Sequence, residues 1–340
     1  MRHPRLKGSA RPACFYHCLS RITGGAFIFQ TSGPGSPEAE HFVDLLQRLA
    51  AFCGIPVLTY ALMANHFHLL CEVPPPRALA DTELLDRIEA LYGPARRRAD
   101  QRILQGEAAG GELAAQALRQ RYQARMGDLS SFLKELKGRF AQWYNRRQGR
   151  YGVLWAERFK SLLVEDGVAL QAVALYIDLN PVRAGLVRDP KAYRYCGYGE
   201  AAGAGAGPAQ AGLGRALGYA PGQAAWAEVS AEYRCRLFRT GVVASKPEQA
   251  VIDPERARRV VEQERGALGW TERLGCRLRF LTYGVVLGSR QFVEEQLGRG
   301  RGRGGEGAPS SAAAARKPTT VGAGWFVCSR GRAVPVEASG

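Results

Sequence analysis

The chain has 340 residues, room for one sizeable domain with appendages or two modest ones, and its 46% hydrophobic content allows a real core and excludes a wholly disordered polar chain. Lys and Arg number 47 against 31 Asp and Glu, a formal charge of +16 that points to a polyanionic partner, nucleic acid before an anionic membrane surface. The sequence holds no apolar run long enough for a membrane span and no signal peptide, and its eight cysteines form no CxxC pair, so a soluble, cytoplasmic protein with reduced thiols is expected.

A basic, Pro-containing lead of about twelve residues comes first. Phe15 to Arg21 (FYHCLSR) suits a strand and Ala26 to Phe29 a second short one. Pro37 to Phe52 has helical spacing, with Phe42, Leu45, Leu46, Leu49 and Phe52 on one face. Pro56 to Met63 and His66 to Val73 read as a hairpin turning at Ala64-Asn65, closed by Pro74-Pro75-Pro76. Residues 77–127 read as an exposed helical insertion. Asp128 opens a helix whose apolar stripe is Phe132, Leu136, Phe140 and Trp143. Arg158 to Val164 reads as a strand, Glu165-Asp166 as the cap of another helix, and Pro181 as its end.

Composition shifts near residue 200. Ala201 to Gly214 has the Ala/Gly content of a linker, residues 215–297 carry helical patterns, and residues 298–340 are low in complexity and expected to be disordered. The order of elements predicts an α+β fold for residues 1–200, an antiparallel sheet in a split βαβ arrangement with helices packed on it, followed by a helical C-terminal extension.

Two short patterns carry chemistry. In ANHFHLL, His66 and His68 are two apart on a strand, so their imidazoles share one face while Phe67 points to the other. In YIDLNPVR, Tyr176 and Asn180 are four apart on a helix and share a face, with the small Ala172 one turn earlier. Each alone has an ordinary structural explanation, a packed histidine pair or a tyrosine at the end of a helix.

Taken together, these residues resemble the single-tyrosine HUH nucleases, and specifically the REP-associated tyrosine transposases. His66-Phe67-His68 is similar to that family's histidine-hydrophobe-histidine strand, and Tyr176-x-x-x-Asn180-Pro181-Val182 to its tyrosine helix. FYHCLSR resembles the opening strand. Phe132 to Ser161 (FLKELKGRFAQWYNRRQGRYGVLWAERFKS) resembles the central signature, and Tyr176 to Val187 the third block. The resemblance spans roughly residues 4–200, motifs in order; the insertion at 77–127 is longer than the family's minimal core.

The resemblance implies a ferredoxin-like HUH nuclease fold and a metal-dependent transposase. It implies Tyr176 as the nucleophile, and His66, His68 and Asn180 as ligands of Mg²⁺ or Mn²⁺, a choice that imidazole and amide donors also suit. Its substrate is expected to be single-stranded DNA, from short palindromic repeats that fold into hairpins. One tyrosine suits one cleavage at a time, so paired cleavages would need a homodimer or successive steps. A nucleoid-associated location follows from such a role. Lys134, Lys137, Arg139, Arg146 and Arg147, then Arg158, Lys160 and Arg183, are expected to contact DNA, and Trp143, Tyr144 or Trp155 to stack bases, with core packing favoured for Trp143. Asp178 and Glu157 are base candidates by proximity in the chain alone. The rival readings are a hairpin DNA- or RNA-binding protein that does not cut, a zinc site using Cys71 or Cys53 with the histidines, and a relaxase or replication-initiator nuclease.

Overall fold

A computed structural model describes residues 13–29, 36–107, 110–203, 207–244, 246–264, 284–301, 319–322 and 325–329; the basic lead at residues 1–12 lies outside them. Strand β1 (Cys14–Arg21) leads to helix α1 (Pro37–Cys53), then the hairpin β2 (Val57–Met63) and β3 (His66–Val73). Helix α1 starts at Ser36, whose Oγ accepts from the Ala39 N–H at 3.3 Å ahead of Pro37, and stops at Gly54, which takes the left-handed conformation that ends a helix cheaply. Residues 26–29, expected as a strand, form none. Thr23–Gly25 is a 3-10 turn, and the segment beyond it holds to the hairpin by Phe29 N–H to Ala64 O at 3.0 Å, with no ladder to extend.

The insertion is three helices, α2 (Asp81–Tyr92), α3 (Pro94–Leu104) and α4 (Gly111–Gln123). It is less exposed than its charge suggests, because Leu84, Leu85, Ile88 and Leu91 are buried beside α1. Helix α5 (Leu129–Arg147) is capped by Asp128, which accepts from the Ser131 N–H at 2.7 Å. Strand β4 (Lys160–Val164) is shorter than expected, and Arg158 and Phe159 lead into it.

The sheet order is β2-β3-β1-β4, with every pair among these four antiparallel. β3 lies between β1 and β2, so the first βαβ unit is split. Phe67 on β3 meets Phe42 of α1 at 5.1 Å and Trp155 at 5.5 Å, and Phe42 meets Phe140 of α5 at 5.3 Å between ring centroids. These three phenylalanines are fully buried, and burial of each contributes about 1.5–3 kcal/mol. That layer covers one face of the sheet.

Helix α6 (Val168–Arg183) covers the other face, and two expectations about it change. Glu165 and Asp166 do not cap it, since Glu165 takes the Ser289 hydroxyl at 2.9 Å and Asp166 pairs with Arg215 at 2.8 Å. Pro181 sits inside the helix instead of ending it. Proline removes the N–H that the Ile177 carbonyl would accept; the Asn180 side-chain Nδ2 donates to that oxygen instead, at 3.3 Å, and to the Tyr176 carbonyl at 3.0 Å.

The described residues of the expected linker are mostly helical. Residues 201–203 belong to helix α7 (Gly197–Gly203), and Pro208–Leu217 is helix α8, laid against β2. Its small residues serve close packing, for a Cβ on Gly212 would sit 2.6 Å from the Leu58 carbonyl oxygen. Helices α9 (Trp226–Gly241) and α10 (Pro254–Glu264) follow.

The C-terminal extension is not purely helical. β5 (Gly284–Ser289) pairs parallel to β4, helix α11 (Arg290–Arg301) runs on from it, and β6 (Thr319–Gly322) and β7 (Trp325–Ser329) continue the sheet as β5-β7-β6. The low-complexity tail thus contributes two strands, whose ladder partners no local pattern reveals. The molecule is α+β. No described helix is long and apolar enough to cross a membrane.

Candidate active site

Ladder register decides which side chains share a face. Opposite residues of antiparallel strands point the same way, so Met63, His66 and Arg21 form one row, and Ala61, His68, Leu19 and Lys160 the next. Leu70 and His17 follow. This is the face that α6 covers, and it brings His66, His68, Tyr176, Asn180 and Arg183 together with two residues of the FYHCLSR strand that were not among the expected site residues, His17 and Arg21.

His17 Nε2 lies 2.9 Å from His68 Nδ1, both rings buried and stacked at 5.1 Å between centroids. The Tyr176 ring stands edge-on to both, 5.6 Å from His68 and 6.0 Å from His17. His66 lies 5.1 Å from His68, and its Nδ1 is 2.7 Å from Asn65 Oδ1. Asn65 Nδ2 donates to Gly25 O at 3.1 Å, which fixes the amide with its oxygen toward His66. An amide oxygen only accepts, so His66 carries its proton on Nδ1 and its Nε2 lone pair is available.

Electrostatics favour neutral imidazoles. Burial, with Arg21 nearby, pulls His66 down to about 4, and burial followed by His17, His66 and Arg21 holds His68 well below the usual histidine range. Burial raises the Tyr176 phenol above its ordinary value, while Arg183, Arg21 and the Asn180 side chain work the other way. The Arg183 guanidinium lies 5.5 Å over the tyrosine ring. Burial draws its pKa down to about 10, so it stays charged at neutral pH, and its Nη1 is buried without a hydrogen-bond partner. A buried guanidinium N–H left unpaired is costly, and an anion reaching the tyrosine would satisfy it.

The two base candidates lie elsewhere. Asp178 points away from Tyr176 into a closed network, taking Thr59 Oγ1 at 2.9 Å, the Tyr198 N–H at 3.0 Å and the Tyr233 hydroxyl at 2.6 Å. Glu157 is exposed and pairs with Lys160 at 2.9 Å.

The residues fit a divalent cation on their donor chemistry: two neutral imidazoles with Nδ1 engaged, and an Asn180 amide whose nitrogen is held by helix carbonyls and whose oxygen is left to coordinate. Among the described residues no three His, Cys, Asp or Glu side chains group to hold an ion. Cys71 lies at an odd offset from the histidines, buried beside Cys18, and Cys53 is buried near Glu135 and Arg125, so neither joins the histidine face.

The candidate DNA-contact residues divide. Lys134, Arg146 and Arg158 are exposed. Lys137 is half-buried over the Trp155 ring: it donates to the Glu157 carbonyl at 2.7 Å, and burial brings its pKa down to about 8. Arg139 is tied to Glu135 at 3.2 Å, Arg147 to Glu38 at 3.6 Å and Lys160 to Glu157. Among the aromatics, Trp155 is buried with its Nε1 donating to Lys137 O at 2.9 Å, and Trp143 stacks on His41 at 4.0 Å. Tyr144 packs on Phe140 at 6.1 Å.

Comparison of the sequence with protein-family models and with curated proteins finds no match. Among solved structures, the chain is similar to a REP-associated tyrosine transposase bound to a REP hairpin, at 12% identity, covering 59% of this chain and 82% of that one with a TM-score of 0.35. So distant a likeness carries no argument about chemistry, and function is reasoned from the side chains.

Proposed function

We propose that this chain is a single-tyrosine HUH transposase, a metal-dependent nuclease and strand transferase acting on single-stranded DNA that folds into hairpins. The observation that carries the reading is the placement of the Tyr176 phenol, edge-on to the His17–His68 pair and under the Arg183 cation.

His66, His68 and Asn180 would hold Mg²⁺ or Mn²⁺. When bound, that ion supplies charge that polarises a phosphate and screens the attacking oxygen. Arg183 would bind a non-bridging oxygen of the scissile phosphate through its unpaired Nη1, and Arg21 adds positive charge on the same face. Tyr176 Oη attacks phosphorus, so a Tyr–O–P bond forms and the bond from phosphorus to the 3′ oxygen breaks. The phenolic proton ends on the departing 3′ oxygen, giving a 5′-phosphotyrosine and a free 3′-OH. Ester energy is retained, and attack by a 3′-OH reverses the step and joins strands without a nucleotide cofactor. Burial raises the phenol pKa, which favours proton transfer together with attack, and Arg183 and Arg21 would stabilise the developing charge. Cleavage at two sites would use two copies of the chain or two successive steps.

The test is incubation of labelled single-stranded hairpin oligonucleotides with Mg²⁺ or Mn²⁺. A covalent protein–DNA band that needs the metal and is lost in Tyr176→Phe is the expected result. Tight hairpin binding with no covalent band in either metal would favour a nucleic-acid-binding protein that does not cut.

A further inference from the structure

Register sets His66, Arg21, Met63 and Lys160 at one end of the sheet. Two loops meet there, residues 22–29 and residues 148–159. They are tied by Thr23 N–H to Leu154 O at 2.9 Å and Ala156 N–H to Arg21 O at 3.0 Å, and Ile22 bridges Trp155. The first is anchored to the site by Asn65, and the second to α5 by Asn145 Nδ2 donating to Gly152 O at 2.9 Å.

These anchored loops present apolar side chains to solvent. Phe27 is 77% exposed, Tyr151 95% and Val153 71%, three of the seven exposed large hydrophobics among the described residues. Large apolar side chains exposed on two loops whose backbones are tied together mark a contact surface. The charge around it is positive: Arg21, Arg146 and Arg158 are exposed, Arg150 lies over the Tyr144 ring at 5.8 Å, and the one acid of the two loops, Glu157, is paired with Lys160. A second copy, itself carrying +16, is a poor occupant for such a surface.

We propose that Phe27 and Tyr151 form a stacking platform for unpaired bases, with Arg158 and Arg21 taking the phosphates, so that a single strand crosses the two loops and enters the site past Arg21. Paired bases hide their faces, so the platform selects single strands over duplex. The inference rests on the nuclease reading and assigns the path of its substrate. It also moves base stacking from Trp143, Tyr144 and Trp155, which are packed, to aromatics that are free to receive a base.

The test uses fluorescein-labelled oligothymidylate about 16 nucleotides long, alone or annealed to its complement, with anisotropy read in EDTA so that no cleavage occurs. Tyr151→Ala and Phe27→Ala are expected to weaken single-strand binding about tenfold each, with duplex binding and thermal melting unchanged and Tyr151→Trp retaining affinity. Arg158→Gln should reduce the salt slope by about 0.7. If both alanine variants bind the single strand like the parent while the parent still forms the covalent band, the platform is wrong and the nuclease reading stands. If the parent binds no single strand even at low salt, both fail.

Discussion

His17 Nε2 sits 2.9 Å from His68 Nδ1, deep beneath Tyr176. If His68 donates from Nδ1, its Nε2 lone pair is available; if His17 donates, His68 carries its proton on Nε2 and cannot bind through that atom. Metal binding through His68 Nε2 therefore requires His17 to accept, a positioning role through the ring partner of a ligand. His17→Phe, which removes the acceptor, should weaken Mn²⁺ binding about 10- to 100-fold, measured by titration followed by electron paramagnetic resonance. His17→Gln, which can accept through Oε1, should restore most of it. Equal affinity in His17→Phe and the parent would refute the role.

Arg183 should matter to chemistry more than to stability. Its Nη1 is buried without a hydrogen-bond partner, and on the nuclease reading the scissile phosphate would supply one. Arg183→Ala should slow formation of the covalent product about 10- to 100-fold, as expected for loss of one charged hydrogen bond of roughly 1.5–3 kcal/mol. Arg183→Lys should not recover it, because the planar fork is lost. A single-turnover rate equal to the parent's would exclude a contact to the reacting phosphate.

Asp178 gives a pH dependence of stability. Burial raises its folded pKa to about 6, outweighing the bonds from Tyr233, Tyr198 and Thr59 that pull it down. A carboxyl whose pKa is raised on folding binds more protons in the folded state between its unfolded value, about 3.9, and about 6. Stability from this group is thus greatest below pH 4, falls as pH rises toward 6, and is flat above. The loss is about 3 kcal/mol at most. Urea titrations at pH 4 and pH 7 should show the parent losing stability relative to Asp178→Asn, in which this dependence is absent. A constant difference between the two would contradict the shift.

Gly212 tests whether the Ala/Gly-rich stretch is packed. A Cβ there would meet the Leu58 carbonyl oxygen at 2.6 Å, so α8 would have to move off β2. Gly212→Val should destabilise the protein by about 1–3 kcal/mol in urea, whereas the same change at Gly203, where no atom lies within 4 Å of an added Cβ, should cost far less. An unchanged midpoint in Gly212→Val would return this stretch to the status of a linker.

What the sequence alone determined is local. Alternation put His66 and His68 on one strand face and Phe67 on the other, helical spacing put Tyr176 and Asn180 together, and Asp128 marked a helix start. What only the tertiary structure decided depends on partners distant in the chain. His17 and Arg21 join the site through the β1–β3 register, across some fifty residues of sequence that carry no record of the pairing. Asp178 leaves the site because Thr59, Tyr198 and Tyr233 claim it, and the Lys137 ammonium is tied to the Glu157 carbonyl. Pro181 stays helical because Asn180 replaces the missing hydrogen bond. Small residues permit both mobility and close approach, and for residues 208–214 only the presence of β2 against α8 distinguishes the two.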